Sequence, residues 1–282
     1  MFKKLLILLV MCAALVSCDK NSDLVVIIHT PYGDMKAILY DETPLHKKNF
    51  LDLAKSGRYD STIFHRVIKN FMIQAGDIDA KEGTRNDDRI EAEFVDKFFH
   101  EKGALSAARQ GDRSNPEKKS SWCQFYIVHG NTFTEKQCEQ FSIDQRVLNQ
   151  AINQLIQYES HADLRDKLLE LQKNGDRDGM QQLFNENIDM AEKELNVKIR
   201  KKQLTPEQIS TYTTTGGAPH LDGDYTVFGK VVEGLEVIDK VANQKTAGRD
   251  KPVEDIPLTM EVVEMKKKEI TEKYGYIYPE EY

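Results

Sequence analysis

Residues 64–77 read Phe-His-Arg-Val-Ile-Lys-Asn-Phe-Met-Ile-Gln-Ala-Gly-Asp, and the interpretation of the chain starts from this run. Phe64, Arg66 and Ile68 alternate with the residues between them, which is typical of a strand with two different faces. Arg66 is a permanent cation, so it needs a partner or a water-facing rim. A strand that presents an Arg, a Phe, a Met and a Gln to one side predicts an apolar cleft with two polar arms, the usual composition of a small-ligand pocket.

The run resembles the signature of cyclophilin-type peptidyl-prolyl isomerases, Phe-His-Arg-hydrophobic-Ile-x-x-Phe-Met-x-Gln-x-Gly-Asp, and every fixed position is present. Residues 216–231 contain Leu-Asp-Gly-Asp-Tyr-Thr-Val-Phe-Gly, which is similar to a second block of that family. Residues 103–109 and 124–127 are similar to two blocks between these. The alternative interpretation of the first run is a half-buried strand that carries an Arg by chance.

Composition indicates a folded chain with a sizeable core. The chain has 282 residues, of which 40 % are apolar and 30 % charged, and this length allows one or two domains. The net charge of −7 argues against a general nucleic-acid binder, which would carry a basic face. We therefore expect no nucleic-acid partner.

The N-terminus has the pattern of a secretory signal. Two lysines precede an apolar run from Leu5 to Leu15, which is shorter than the ~20 residues of a membrane-spanning helix. The run ends Leu15-Val16-Ser17-Cys18, which is similar to a bacterial lipobox. We expect Cys18 to carry a lipid and to anchor the protein at a membrane of the bacterial cell envelope, on the periplasmic or outer-membrane side. The alternative is a cleaved signal with an incidental cysteine.

Four cysteines then reduce to two in the mature chain, Cys123 and Cys138. A bridge between them is possible in an oxidising compartment, although two free thiols are the default expectation. No His and Cys cluster has the spacing of a zinc site, so we expect no metal. We also expect no cofactor, because the rotation about an X-Pro bond that the resemblance implies needs none.

The first elements follow from local pattern. Leu24 to Thr30 and Met35 to Tyr40 predict two strands joined by a turn, which together form a hairpin. Thr43-Pro44 predicts the N-cap and first residue of a helix that ends at Gly57.

Residues 131–215 show no strand pattern and predict helices throughout. Leu148, Ile152 and Leu155 form one apolar stripe at helical spacing. Two further stripes consist of Leu164, Leu168 and Leu171, and of Phe184, Ile188, Ala191 and Leu195, with Asn174-Gly175-Asp176 as a break between them. Thr205-Pro206-Glu207-Gln208 predicts a capped helix start. We expect the stripes to pack on one another, and the region could in addition be a partner-binding arm.

The resemblance implies a mainly β fold: a closed eight-stranded antiparallel barrel capped by helices, with an inserted all-helical subdomain. The expected boundaries are 1–17 for the signal peptide, 18–23 for a lipidated tether, 24–130 for the first part of the barrel, 131–215 for the helical insertion, 216–265 for the second part and 266–282 for a polar tail to which no role is assigned.

The resemblance also implies a catalytic group made of Arg66, Gln74 and Phe71. Arg66 would donate a hydrogen bond to the proline nitrogen, Gln74 would hold Arg66 or the substrate carbonyl, and Phe71 would contact the proline ring. The implied substrate-binding residues are Met72, Ala108, Arg109, Gln124, Tyr126, His220, Leu221 and Tyr225. Several have a simpler explanation, since Phe71, Met72 and Leu221 could be plain core, and His220 could be an ordinary loop residue.

The implied function is that of a peptidyl-prolyl cis-trans isomerase that rotates X-Pro bonds without a covalent intermediate in envelope or secreted proteins and so assists their folding. Its partners would be unfolded or secreted proline-containing polypeptides, the membrane through the lipid on Cys18, and a protein bound by residues 131–215. One alternative is a proline-binding chaperone without catalysis. Another is a structural lipoprotein subunit that uses residues 131–215 as its interface.

Overall fold

A computed structural model of the protein describes residues 21–200 and 203–280. The predicted signal peptide and the predicted lipidation site at Cys18 lie outside the described residues. Residues 22 and 23, which were predicted as part of a tether, belong instead to the first strand, because they pair with Lys266 and Met265 at the end of the last strand. Within the described ranges, no helix is long and apolar enough to cross a membrane.

The described residues form ten strands, eight of which make one antiparallel sheet in the order β10-β1-β2-β9-β6-β8-β4-β3, while β5 and β7 form a separate pair. The strands are β1 Ser22–Thr30, β2 Gly33–Leu39, β3 Arg66–Ile68, β4 Met72–Ala75, β5 Arg89–Ile90, β6 Ala104–Ala107, β7 Ser120–Ser121, β8 Phe125–Val128, β9 Val227–Glu233 and β10 Thr259–Lys266. The predicted first hairpin is confirmed, because β1 pairs with β2.

The expected closed barrel is not found as a continuous ladder in the described residues. β3 and β10 form the two edges of the sheet. Residues 61–64, before β3, meet residues 256–258, before β10, through three backbone hydrogen bonds of 2.9 Å. Pro257 forms only an isolated bridge there with Ile63. Because proline has no N–H to donate, it cannot take a full place in a ladder, and the two edge strands stay unpaired at this point.

Ten α-helices occur in the described ranges, and six of them lie between β8 and β9. The helices are α1 Pro44–Lys55, α2 Ile78–Glu82, α3 Glu135–Gln140, α4 Gln145–Leu155, α5 Ala162–Asn174, α6 Arg177–Glu186, α7 Ile188–Leu195, α8 Pro206–Thr214, α9 Leu235–Ala242 and α10 Lys267–Tyr274.

The sheet separates two hydrophobic clusters, because successive residues of a strand point to opposite faces. Val26 and Ile28 belong to the larger cluster, which includes Phe50 of α1 and Val237 of α9. Val25 belongs to a second cluster, which contains several of the predicted site residues. The predicted site therefore lies on the face of the sheet opposite to the main core.

Helix α1 starts where the sequence predicts, but its cap differs from the prediction. Thr43 occupies the N-cap position and Pro44 the first helical position, yet the Thr43 side chain makes no capping hydrogen bond. Glu93 accepts instead from the backbone N–H groups of Leu45 and His46, each over 3.0 Å. A carboxylate from a distant loop thus satisfies the free donors of the first turn, a contact that local pattern does not reveal.

The six helices between β8 and β9 divide into two groups. α3 and α8 pack beside the sheet around Phe99, Cys138 and Tyr212. α4 to α7 enclose a separate core that includes Leu148, Ile152 and residues of the other two predicted stripes. The third stripe was predicted as one helix and is two, since α6 ends and α7 begins at Asn187.

The chain enters and leaves the α4–α7 group at one place. The backbone N–H of Asp144 donates to the carbonyl of Ile199 over 2.8 Å, and Ile143 forms a bridge with Arg200. Residues 145–198 therefore form a protrusion whose two ends are adjacent, and its own apolar core makes it a separate packing unit.

The last segment packs on the sheet. β10 continues to Lys266, and α10 follows directly. Tyr276 is 6 % exposed, and its hydroxyl accepts from the N–H of Asp41 and donates to Glu42. The segment predicted as a polar tail thus carries a buried aromatic residue.

Candidate active site

The β3–β4 hairpin sets the position of the signature residues. Arg66 lies directly opposite Gln74, and Ile68 lies opposite Met72. The turn between the strands places Asn70 at a φ of 64°, a left-handed conformation that Asn tolerates better than most residues. The sequence predicted one strand across this run, but the turn divides it into two strands, and Phe71 lies in the turn, where its N–H donates to the carbonyl of Ile68 over 3.1 Å.

Neighbouring strands add the second wall of the site. β8 pairs with β4 so that Tyr126 lies opposite Gln74. The backbone of Ala108 donates to the carbonyl of Gln124 over 2.9 Å, and the carbonyl of Ala108 accepts from Ser121 over 2.8 Å. These hydrogen bonds hold Ala108, an implied substrate-binding residue, beside the start of β8.

The third wall comes from the segment before β9. Leu221 ends a short 3₁₀ helix, and Tyr225 follows in a turn. The guanidinium of Arg109 stacks over the ring of Tyr225 at 4.4 Å, and its Nε donates to the carbonyl of Asp224 over 2.6 Å. The Arg109 side chain is only 4 % exposed, so it is a fixed part of the wall.

These walls enclose one cavity of about 90 Å³. It is lined by nine of the eleven predicted catalytic and substrate-binding residues: Arg66, Phe71, Met72, Gln74, Ala108, Arg109, Tyr126, Leu221 and Tyr225. The other two lie beside it, since Gln124 bonds to Gln74 and the ring of His220 lies 5.2 Å from the ring of Phe71. The structure therefore brings the whole predicted set together.

Apolar side chains form the interior of the cavity and a cation lies at its rim. Met72, Tyr126 and Leu221 are buried, whereas the Arg66 side chain is 42 % exposed. Nε of Arg66 lies 3.5 Å from Oδ2 of Asp250, a long contact to a carboxylate that is 47 % exposed. Arg66 thus has a weak, solvated partner, and its guanidinium borders the cavity.

Gln74 was expected to hold either Arg66 or the substrate carbonyl, but its side-chain amide bonds to Gln124. Its Nε2 donates to Oε1 of Gln124 over 3.0 Å, whereas the ion pair of Arg66 goes to Asp250. The sequence analysis did not identify Asp250. It lies far away in the sequence, in a segment that contacts β3, and only the left-handed conformation of Arg249 and Asp250 marks the segment as unusual.

A larger cavity of about 660 Å³ adjoins the first across Tyr225. It is lined by residues 94–99, by the start of α8 and by Pro219 and Asp222. Phe94 is 44 % exposed at this surface. No motif or spacing in the sequence predicted this cavity.

In the described ranges, no group of three or more His, Cys, Asp or Glu side chains has a metal-binding arrangement. Cys123 and Cys138 are both buried and free. Burial raises the pKa of the Cys123 thiol to about 11, which keeps it protonated and unreactive near neutral pH.

Comparison with known proteins supports the resemblance to cyclophilin-type peptidyl-prolyl isomerases. The family model described as cyclophilin type peptidyl-prolyl cis-trans isomerase matches residues 25–152 and 173–262. A Staphylococcus saprophyticus protein named "Putative peptidyl-prolyl cis-trans isomerase" is 30 % identical over 251 residues, which cover 86 % of this chain and 94 % of that protein.

Two further relatives differ more in length or sequence. A Streptococcus pyogenes protein named "Putative bifunctional phosphatase/peptidyl-prolyl cis-trans isomerase" is 32 % identical over 247 residues, which cover 84 % of this chain but only 38 % of that longer protein. A solved cyclophilin type peptidyl-prolyl cis-trans isomerase from Cryptosporidium parvum superposes with a TM-score of 0.49 at 21 % identity, covering 86 % of this chain and 98 % of that one.

The fold presents, on one face of the sheet, a cavity with buried apolar side chains and the Arg66 guanidinium at its rim. The chain belongs to the cyclophilin-type family of peptidyl-prolyl cis-trans isomerases, and it is an enzyme of that type.

Proposed function

We propose that the cavity of about 90 Å³ binds the proline ring of a substrate and that Arg66 acts on the proline nitrogen. One observation carries this proposal: nine residues predicted from the sequence line a single cavity. Amide resonance sets a rotation barrier of ~18–20 kcal/mol. In the twisted transition state the nitrogen regains a lone pair, so a donor placed there stabilises that state more than the planar substrate.

The geometry supports a division of roles. Met72, Tyr126 and Leu221 hold the proline ring by apolar contact while the acyl side rotates. Gln74 and Gln124 act as a hydrogen-bonded pair at the edge, close to the peptide backbone. The backbone of Ala108 is held by its own hydrogen bonds to Gln124 and Ser121, so Ala108 contributes its position at the cavity wall, and its residue type matters less than that position.

Isomerisation of a short Ala-Pro peptide tests the role of Arg66, with the chain from Asp19 onward as the enzyme. We expect Arg66→Ala to lower kcat/KM about a hundred- to a thousandfold, the effect of losing one preorganised donor. Arg58→Ala is the matched control, because Arg58 has a similar exposure of 39 % and also pairs with a carboxylate, yet does not line the cavity. Equal activity of Arg66→Ala and wild type would refute this mechanism.

We also propose that the substrates are unfolded or secreted proline-containing polypeptides, and that the protein assists their folding at the cell envelope. The lipobox at residues 15–18 supports this location. Replacing Cys18 with Ser should move the protein from the membrane fraction to the soluble fraction. A variant that stays with the membrane would remove the support for lipid anchoring.

The finer description of the fold is part of the proposal. We propose that the sheet closes into a barrel through the segments before its two edge strands. Three backbone hydrogen bonds between residues 61–64 and 256–258 support this closure, although β3 and β10 themselves do not pair. The separate core of α4 to α7 supports an inserted helical unit within residues 131–215.

A second candidate function is a binding role for this helical region, as a chaperone arm or as an interface in an envelope complex. The cavity of about 660 Å³ beside α8 favours it. Because the N–H of Asp144 and the carbonyl of Ile199 are 2.8 Å apart, a short Gly-Ser linker can replace residues 145–198. Peptide isomerisation should survive this deletion. Loss of the ability to prevent client aggregation would assign the binding role to the protrusion, whereas retention of that ability would leave the role with the cavity beside α8, none of whose lining residues is deleted.

A further inference from the structure

Asp222, whose side chain is 15 % exposed, is the centre of a largely buried hydrogen-bond network next to the cavity of about 90 Å³. Its Oδ1 accepts from the backbone N–H of His100 over 2.9 Å and lies 2.8 Å from Nδ1 of the same residue. Its Oδ2 accepts from the hydroxyl of Tyr212 over 2.6 Å and, more weakly, from Gln208 over 3.4 Å. One carboxylate thus joins the loop before β6 to helix α8.

The network continues from His100 to the cavity wall. Nε2 of His100 lies 2.9 Å from the hydroxyl of Tyr126, and the two rings are stacked with an interplanar angle of 11°. Burial raises the pKa of Tyr126 well above its ordinary value, so its hydroxyl keeps its proton. His100 thus joins the two residues, with Nδ1 facing the Asp222 carboxylate and Nε2 facing the Tyr126 hydroxyl.

Burial makes this network hard to replace with water. His100 and Tyr212 are fully buried, and Tyr126 is 4 % exposed. Of the network residues only Tyr126 lines the cavity of about 90 Å³. A phenylalanine at position 126 would fill the same wall, so the tyrosine hydroxyl serves the network and not the apolar contact. Inside a protein, a satisfied polar network of this kind specifies one arrangement of its members.

We propose that Tyr212, Asp222 and His100 are positioning residues that fix the ring of Tyr126, so that helix α8 supports the wall of the proline cavity. This inference rests on the proposed role of Tyr126 in binding the proline ring. It gives α8, which lies within the predicted helical insertion at residues 131–215, a part in the isomerase itself.

A double-mutant cycle of Tyr212→Phe and Tyr126→Phe in the chain from Asp19 onward tests the proposal. The wall contacts the proline ring in both the planar and the twisted state, so its displacement should act mainly on KM. We expect each single variant to raise KM for an Ala-Pro peptide about two- to tenfold, the effect of one hydrogen bond, with kcat nearly unchanged. The double variant should equal Tyr126→Phe, because Tyr212 acts only through Tyr126.

Tyr278→Phe is the matched control, since its hydroxyl also donates to a carboxylate, that of Asp23 over 3.0 Å, and it does not line the cavity. It should leave KM unchanged. A purely structural role of Tyr212 would lower the melting temperature equally in both backgrounds and leave the KM of the folded enzyme unchanged, which would overturn the proposal. If Tyr212→Phe does not fold, Tyr126→Phe decides the question by itself, and an unchanged KM for the Ala-Pro peptide in that variant would overturn the proposal. Equal activity of Arg66→Ala and wild type would instead refute the proposed role of Arg66 on the proline nitrogen.

Discussion

Nε2 of Gln74 donates a hydrogen bond to Oε1 of Gln124 across 3.0 Å, and so joins two neighbouring strands at the edge of the cavity. The cross-strand partner of Gln74 in the hairpin is Arg66, so this hydrogen bond controls which group Gln74 presents beside the cation. A side-chain amide held in this way keeps one orientation, and that orientation is available to a substrate before it binds.

Removing the acceptor at position 124 should therefore weaken catalysis. We expect Gln124→Met, which keeps the length of the side chain, to lower kcat/KM for an Ala-Pro peptide about two- to tenfold, the effect of one neutral hydrogen bond. Gln124→Glu keeps an acceptor for Gln74 and should retain more activity than Gln124→Met. Equal losses in the two variants would show that the hydrogen bond does not position Gln74.

The turn at Gly76 should not accept a side chain. Its φ is 80°, and an added Cβ would lie 2.7 Å from the carbonyl oxygen of Cys123 and 2.8 Å from the ring of Phe125. Gly76→Ala therefore combines a left-handed strain of roughly 1–2 kcal/mol with an overpacking term of roughly 1–3 kcal/mol. Chemical denaturation should show this loss of unfolding free energy.

Gly83→Ala is the control for this prediction. Gly83 has a φ of 68°, but an added Cβ would have no neighbour within 4 Å. Only the backbone strain of roughly 1–2 kcal/mol should remain. If Gly83→Ala is as destabilised as Gly76→Ala, the close approach to Cys123 is not what requires glycine at position 76.

The C-terminal segment should contribute to stability although the sequence suggests a polar tail. Tyr276→Ala removes a ring that packs against Tyr40 at 5.2 Å and a hydroxyl with two partners, so we expect a loss of about 3–5 kcal/mol. Ile277→Ala, one residue along, removes a side chain that is 73 % exposed and should change stability by less than about 0.5 kcal/mol. Similar midpoints for both variants in urea would contradict the packed arrangement.

Four histidines predict a loss of stability in mild acid. Burial is the main cause that lowers the pKa of His46, His65, His129 and His220 below the ordinary value of 6.5. Below pH 6.5 the unfolded chain therefore binds more protons than the folded one at these positions. The stability they contribute is complete above that pH and is lost as the pH falls towards the folded-state pKa values.

Thermal unfolding between about pH 7.5 and about pH 5 measures this loss. His65→Asn is an informative variant, because Nδ1 of His65 is buried and has no hydrogen-bond partner in the described part of the chain. The variant removes one titrating group and should show a smaller decrease in melting temperature over the same pH interval. An identical decrease would exclude His65 as a contributor.

Much of the site was predictable because its residues lie in runs whose spacing is local. Arg66, Phe71, Met72 and Gln74 fall within nine residues, and pairing in one hairpin is enough to place them together. Cavity residues from the later blocks followed from the family resemblance, and the structure places them around the same cavity.

The remaining features depend on contacts between distant segments. Glu93 caps α1 from a loop, Asp250 reaches Arg66 from near the C-terminus, and Asp222 joins His100 to Tyr212. No periodicity or spacing predicts such pairs, since each partner is ordinary within its own segment. The interrupted edge of the sheet likewise depends on where Pro257 meets Ile63 in three dimensions.

The separate core of α4 to α7 predicts that the protrusion unfolds without the sheet. Leu168 is 3 % exposed and Leu169, its neighbour in α5, is 57 % exposed. Leu168→Ala should destabilise the protrusion by about 2–5 kcal/mol, whereas Leu169→Ala should change its stability by less than about 0.5 kcal/mol. In Leu168→Ala the helical signal at 222 nm should then be lost in two steps on heating, with isomerase activity retained through the first step, because α8 and the cavity belong to other packing clusters. A single transition at which helicity and activity disappear together would show that the protrusion and the sheet form one cooperative unit.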